Sequence, residues 1–167
     1  MRLLRTFALF VLMLALPSCG DSPSAPSIPV SPDTVGRVCV AGPTTACFLS
    51  NRFSAQIEWW TDPNNRHMAT VTSSFDIGVT TGADFLLDGD GPVDVFVLMD
   101  DICVPHGAFS VSYTSETEVA FTLTVVDGVA GVRREYHQEF GETIPNTLDI
   151  RAFVTCSGAS PASERRN

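Results

Sequence analysis

Asp84, Asp88, Asp90, Asp94, Asp100 and Asp101 fall within eighteen residues that contain no base. Calcium takes six to eight oxygen ligands, often from carboxylates spaced along one loop, so "DGDGPVD" is the first place to look for chemistry. Asp88, Asp90 and Asp94 are the candidate metal ligands. The stretch departs from an EF-hand: Pro92 stands at the fifth position, Val93 replaces the glycine at the sixth, and Met99 occupies the twelfth. A tight hairpin explains the same Gly and Asp residues, because they permit unusual turn dihedrals. "CVPH", Cys103 to His106, has the spacing of half a zinc site, with His67 and His137 elsewhere to complete it. In an exported chain, oxidation of the thiol competes with that use. Trp59 and Trp60 are adjacent, so strand alternation that buries Trp59 turns Trp60 outward, where an indole can stack on a sugar ring.

Nucleophilic and metal-hydrolytic signatures are missing. There is no G-x-S-x-G, no H-E-x-x-H and no S-x-x-K. All ten basic residues are arginine, so Schiff-base lysine chemistry and a P-loop are excluded. Carboxylate pairs such as Glu58 with Asp62, or Asp100 with Asp101, are what any acidic chain offers. No catalytic residue and no cofactor is expected. The formal net charge is −9 over 167 residues. Such a chain is repelled by nucleic acid and by anionic head groups, and stays soluble when tethered to a surface.

Residues 1–18 open with two arginines and continue in an apolar run from Phe7 to Leu16. That run is shorter than the roughly 20 residues a spanning helix needs. A basic start, a short apolar core and small residues before a break describe a signal peptide. Leu16-Pro17-Ser18-Cys19 resembles the lipobox of bacterial lipoproteins. The resemblance implies cleavage before Cys19 and acylation of Cys19, with the domain held on a membrane by its N-terminal lipid. Several acyl chains at about 0.8 kcal/mol per buried CH₂ make such an anchor durable. Ordinary cleavage near Ser18, giving a secreted protein, is the alternative. Gly20 stands directly after the cysteine and Asp21 one place later, which by the same resemblance favours the outer membrane or cell surface over the inner membrane.

Beyond Cys19, residues 19–38 are rich in Pro and Ser and read as a disordered tether. At about 3.1 Å per residue it holds a domain up to about 50 Å from the lipid. Residues 157–167 read as a frayed tail. Between them the period is two. Phe53, Ala55, Ile57 and Trp59 share one face; Val119, Phe121, Leu123 and Val125 share another; Phe109, Val111 and Tyr113 a third. "ADFLLDGDGPVDVFVLMD" reads as two strands about a turn, the second apolar on both faces like a central strand. "VVDGVAGVRREYH" reads as a hairpin, and "HMATVTSS" as a weaker strand. About seven strands with frequent turns predict a single antiparallel β-sandwich over residues 39–156.

Cys39, "ACFLSNRFSAQIEWW", "ADFLLDGDGPVDVFVLMDDICVPHGAFSVSY", "TEVAFTLTVVDGVAGVRREY" and "DIRAFVTC" follow one another in an order that resembles a β-rich module of secreted proteins of environmental bacteria. The resemblance spans roughly residues 39–156. It implies fold and export, and brings no catalytic residues with it. With Cys19 acylated, four cysteines remain, and four allow three pairings. Gly42 and Pro43 can fold the chain back between Cys39 and Cys47. Cys103 paired with Cys156 would tie the last segment onto the sheet. The module's mid-domain and terminal cysteines occur together, so the resemblance supports Cys39–Cys47 and Cys103–Cys156. A Cys47–Cys103 bridge, or a pair left reduced, is the alternative.

The sequence thus points to a lipid-anchored, non-enzymatic envelope or cell-surface β-sandwich that binds, adheres or scaffolds, with an envelope protein or polysaccharide as partner. Two other readings stand beside it: a carbohydrate-binding module using Trp60, and a small hydrolase with an unrecognised site.

Overall fold

The computed structural model describes residues 27–29, 36, 38–89, 91–142 and 146–156. The leader 1–18, Cys19, most of the tether, Asp90 and the tail 157–167 lie outside the described residues. In chain order the strands are β1 (Ser27–Pro29), β2 (Ala46–Phe48), β3 (Phe53–Asp62), β4 (Asn65–Met68), β5 (Thr70–Asp76), β6 (Thr80–Leu86) and β7 (Val95–Ile102). A single turn, α1 (Cys103–His106), then leads to β8 (Ala108–Ser115), β9 (Ala120–Asp127), β10 (Val132–Gln138) and β11 (Thr147–Phe153). One sheet has the order β1-β10-β9-β3-β2, with β4 continuing the β2 side of β3. The other has the order β11-β8-β7-β6-β5. Every pairing is antiparallel. The protein is an all-β sandwich, as the period of two predicts.

The core lies where the alternation puts it. Phe53, Ala55 and Ile57 of β3 and Phe121, Leu123 and Val125 of β9 face Val95, Val97 and Met99 of β7 and Phe109, Val111 and Tyr113 of β8, all at most 4% exposed. Rings interlock across the two layers: Phe53 meets Phe109 at 4.9 Å and Phe153 at 5.1 Å, and Tyr113 meets Phe121 at 6.1 Å. Each such side chain contributes about 1.5–3 kcal/mol on burial.

Two differences from the sequence reading have physical causes. Among the described residues the two sheets have six and five strands rather than about seven in all. The additional ones include the three-residue β1 and β2, too short to show a period, and β11, where a register irregularity between Asp149 and Phe153 breaks the alternation. The tether also contributes structure. Ser27, Ile28 and Pro29 pair with Arg134, Arg133 and Val132 of β10. Proline is tolerated there because β1 is an edge strand and need not donate outward.

Both expected bridges are present. Cys39–Cys47 and Cys103–Cys156 each join Cα atoms 5.7 Å apart, within ordinary disulfide geometry. The first sits beside an unusual turn between β2 and β3. Leu49, Ser50 and Asn51 all have positive φ, at 48°, 56° and 65°. Non-glycine residues there cost roughly 1–2 kcal/mol each. Asn51 O accepts from Cys39 N at 2.7 Å and Leu49 N donates to Thr81 Oγ1 at 3.3 Å, so the bridge and β6 hold the turn. No helix among the described residues is long and apolar enough to cross a membrane.

Candidate binding faces

The acidic run is dispersed by the fold. Asp94 lies in the β6–β7 turn, where its Oδ2 accepts from Leu87 N at 2.7 Å while its own N–H donates to Phe85 O at 3.1 Å. This is the hairpin role that its Gly-rich neighbours suggest. Asp88 is exposed in the same turn, and Asp90 lies outside the described residues. Asp101 Oδ1 accepts from Cys103 N at 2.9 Å, closing α1. Among the described residues, no group of three or more His, Cys, Asp or Glu is placed to hold a metal ion. The zinc half-site is ruled out chemically, because Cys103 is bonded to Cys156 and has no thiolate to give. His67 stacks on Trp59 at 4.8 Å, and His137 Nδ1 shares a hydrogen bond with Thr122 Oγ1 at 2.9 Å.

Trp59 packs against the core, as the alternation requires, and Trp60 is half-buried on the other side of β3. β4 sets Arg66 directly opposite Trp60. Its guanidinium lies over the indole at 4.2 Å and donates to Glu58 Oε2 at 2.6 Å. A sugar seeking that ring face would first have to displace a cation–π contact. The Glu58–Arg66 ion pair is largely exposed and by itself is worth at most about 1 kcal/mol.

The outward face of the five-stranded sheet is built more regularly, and the sequence reading missed it. Phe75, Gly82, Leu98, Ser112 and Leu148 stand in register, one from each strand, as a row across all five. The neighbouring row is Ser73, Asp84, Phe96 and Thr114, and the row on the other side is Thr80, Asp100 and Ser110. Phe75 is 39% and Leu148 48% exposed. Phe75 stacks on Phe96 with centroids 6.1 Å apart. It does so by lying over Gly82, where an added Cβ would fall 2.4 Å from Phe75 Cε1 and 3.0 Å from Leu98 Cδ2. Glycine here seats the ring by leaving room for its close approach, with no left-handed backbone at this position.

Carboxylates flank this apolar row on both sides. Ser73 Oγ donates to Asp84 Oδ2, Thr80 Oγ1 donates to Asp100 Oδ1 at 2.5 Å, and Ser110 Oγ donates to Asp100 Oδ2 at 3.4 Å. Neither Asp84 nor Asp100 has an ion-pair partner among the described residues. Shallow concavities of about 310 and 280 Å³ lie on this face, the first about Asp84, Val93 and Phe96, the second about Phe96, Leu98 and Leu148. They are at or below the small end of ligand pockets, so the face suits an extended occupant over an enclosed one. The signal in the sequence was Phe96 and Leu98 alternating with Val95, Val97 and Met99. Apolarity on both sides of β7 marks a central strand, but among the described residues no layer covers the outer side.

Comparison with protein-family models, with curated proteins and with solved structures finds no match for this chain.

Proposed function

We propose that this chain is a lipid-anchored, non-enzymatic protein of a bacterial envelope or cell surface, whose β-sandwich binds a partner through the outward face of its five-stranded sheet. One observation carries the reading: five strands align Phe75, Gly82, Leu98, Ser112 and Leu148 in a single row, with Phe75 and Leu148 part-exposed and acceptors flanking it. Contiguous apolar surface rimmed by polar groups is how interaction faces differ from ordinary surface. The two bridges suit an oxidising compartment outside the cytoplasm, in keeping with the lipobox-like Leu16 to Cys19.

A second reading concerns the same face. An aromatic ring beside a fixed carboxylate is what the CH face and hydroxyls of a sugar accept, and Phe75, Phe96 and Asp84 offer that combination. Envelope polysaccharide is therefore the first ligand class to try, with Trp60 as a separate, Arg66-covered ring.

The test is retention of the purified domain on immobilised envelope polysaccharide and on immobilised envelope protein. Leu98→Arg and Phe96→Ser should abolish retention, and Trp60→Ala should leave it intact. Retention that survives both sheet-face substitutions, or that is lost only with Trp60, overturns the assignment of the face.

A further inference from the structure

The strand that the tether lends to the sandwich decides which side of the domain lies nearest its anchor. Resting on the reading that Cys19 carries the lipid, we infer that the β1–β10–β11 edge is a membrane-facing surface, and that the occupant of this edge is the bilayer holding the anchor.

Ser27 is opposite Arg134 and only eight residues from Cys19. Fully extended, that stretch reaches about 28 Å, against about 50 Å for the whole tether in a polyproline-like state. The domain is therefore held close to the lipid and by one edge. β10 and β11 stand together across the sandwich at this edge. Tyr136 Oη donates to Asp149 Oδ2 at 3.2 Å, and Arg134 Nε donates to the Ala152 carbonyl at 2.5 Å. The far edge is formed by β2 and β4 in one sheet and β5 in the other.

Arginine is concentrated at this edge, with Glu135 paired to one of them and exposed Glu139 and Glu142 beyond the end of β10. The described arginines are Arg52, Arg66, Arg133, Arg134 and Arg151. Arg52 is committed to buried Asp127, and Arg66 sits on the far β3–β4 hairpin. The other three all belong to β10 and β11. Arg133 is paired with Glu135, while Arg151 is exposed and has no ion pair among the described residues. Exposed Ile150 and Val154 flank Arg151 at 39% and 58%. Guanidinium groups take phosphate oxygens in bidentate fashion, and small apolar side chains beside them suit the boundary of head group and acyl chain. Charges more than about 8 Å away are screened at physiological salt, so the chain's overall −9 is felt weakly and the charges at the contacting edge dominate. At contact the local arginines decide.

The experiment uses the acylated chain extracted from membranes and placed in vesicles of phosphatidylethanolamine and phosphatidylglycerol. Photoreactive p-benzoylphenylalanine replaces Ile150 in one variant and Met68, exposed on the far hairpin, in another. Illumination should give lipid adducts from position 150 and none from position 68, and Arg151→Gln should diminish the adduct at 150. In detergent micelles, without a bilayer, hydrogen exchange should show β10 amides protected like those of an interior strand. Equal adducts at the two positions, adducts from 150 to protein instead of lipid, or β10 amides exchanging like an open edge would each overturn the surface. Intact mass before reconstitution separates the causes. No acyl mass on Cys19 overturns the anchor and the surface together, whereas acyl mass with even labelling overturns the surface alone.

Discussion

Arg52 and Asp127, 75 residues apart in sequence, meet in a two-pronged ion pair, Nε to Oδ1 at 3.2 Å and Nη2 to Oδ2 at 2.7 Å. Asp127 is fully buried at the end of β9. Arg52, at the entry to β3, also donates to the Thr155 carbonyl at 2.7 Å and lies 4.4 Å over the Phe109 ring. One guanidinium therefore joins both sheets and the end of the last strand. Arg52→Ala leaves a buried carboxylate without its cation, and should cost about 3–5 kcal/mol. Urea unfolding measures it; a loss under about 1 kcal/mol, the range of an exposed pair, would show that the clamp is incidental.

Acid should act through the same carboxylate. Burial pushes the Asp127 carboxyl up, but the Arg52 and Thr155 hydrogen bonds, the Ala130 N–H and the Arg52 charge outweigh it and hold it below the usual value. A depressed carboxyl stabilises the fold above its unfolded value, near 3.9, and that contribution disappears as pH falls through the folded value. The urea midpoint of the wild type should therefore drop steeply below about pH 4. Asp127→Asn, less stable at neutral pH, should show a flatter acid limb. Parallel acid limbs in the two proteins would assign the drop to other groups.

Alkali offers an independent readout, because the chain has only two tyrosines. Burial and then the neighbouring Asp149 charge raise Tyr136 far above the ordinary phenol range, and burial also raises Tyr113 against a lowering contact from Thr147. A raised phenol stabilises the fold fully below the unfolded value of about 10, and that stabilisation is lost as pH climbs above it toward the folded value. Phenolate absorbance should appear in one cooperative step together with loss of the fold. A phenolate signal from still-folded protein near pH 10 would falsify this account.

The two bridges should differ in worth. They span sequence separations of 8 and 53 residues. In the chain-entropy picture the shorter loop contributes about 2.6 kcal/mol and the longer about 4 kcal/mol. Paired Cys→Ser replacement of Cys103 and Cys156 should thus destabilise more than that of Cys39 and Cys47. The reverse order would mean that the left-handed turn at Leu49 to Asn51 depends on the short bridge for more than loop closure.

Gly82→Ala should drive the Phe75 ring from its seat. Phe75 is partly exposed and can swing outward, so the stability cost should be near 1 kcal/mol. Coupling is the sharper measurement. In a Phe75→Ala background the ring is gone and the added methyl meets Leu98 Cδ2, at 3.0 Å, so Gly82→Ala should cost much less. Additive losses would show that Phe75 does not occupy that space in solution.

Strands long enough to repeat were legible from sequence. In β3, β8 and β9 the apolar alternation of Phe53 to Ile57, Phe109 to Tyr113 and Phe121 to Val125 is the core itself. β11 was not legible as a strand, because it inverts the rule. Asp149 is buried with Tyr136 Oη as donor, while Leu148 and Ile150 are exposed. Polarity predicts exposure only when no partner awaits the polar group. β1 was obscured by Pro29 and its proline-rich surroundings in sequence, and an edge tolerates that residue. Trp60 was correctly turned outward, but the arginine above it comes from β4, whose all-exposed residues carry no periodic signal. The aligned face of the five-stranded sheet depends on register between strands up to about 70 residues apart in sequence, which local alternation cannot supply.

The Cys103–Cys156 bridge encloses β8 to β11, and the turn at Val129 and Ala130 is an exposed tip within that span. A protease that nicks this tip produces two pieces, one holding Cys103 and the other Cys156. The cut molecule keeps its parts covalently joined and its hairpin partners at high effective concentration. On a non-reducing gel it migrates as one species and separates only once thiol is added. Wherever the domain meets a protease, the bridge turns a single backbone cut from a loss of the protein into a scar.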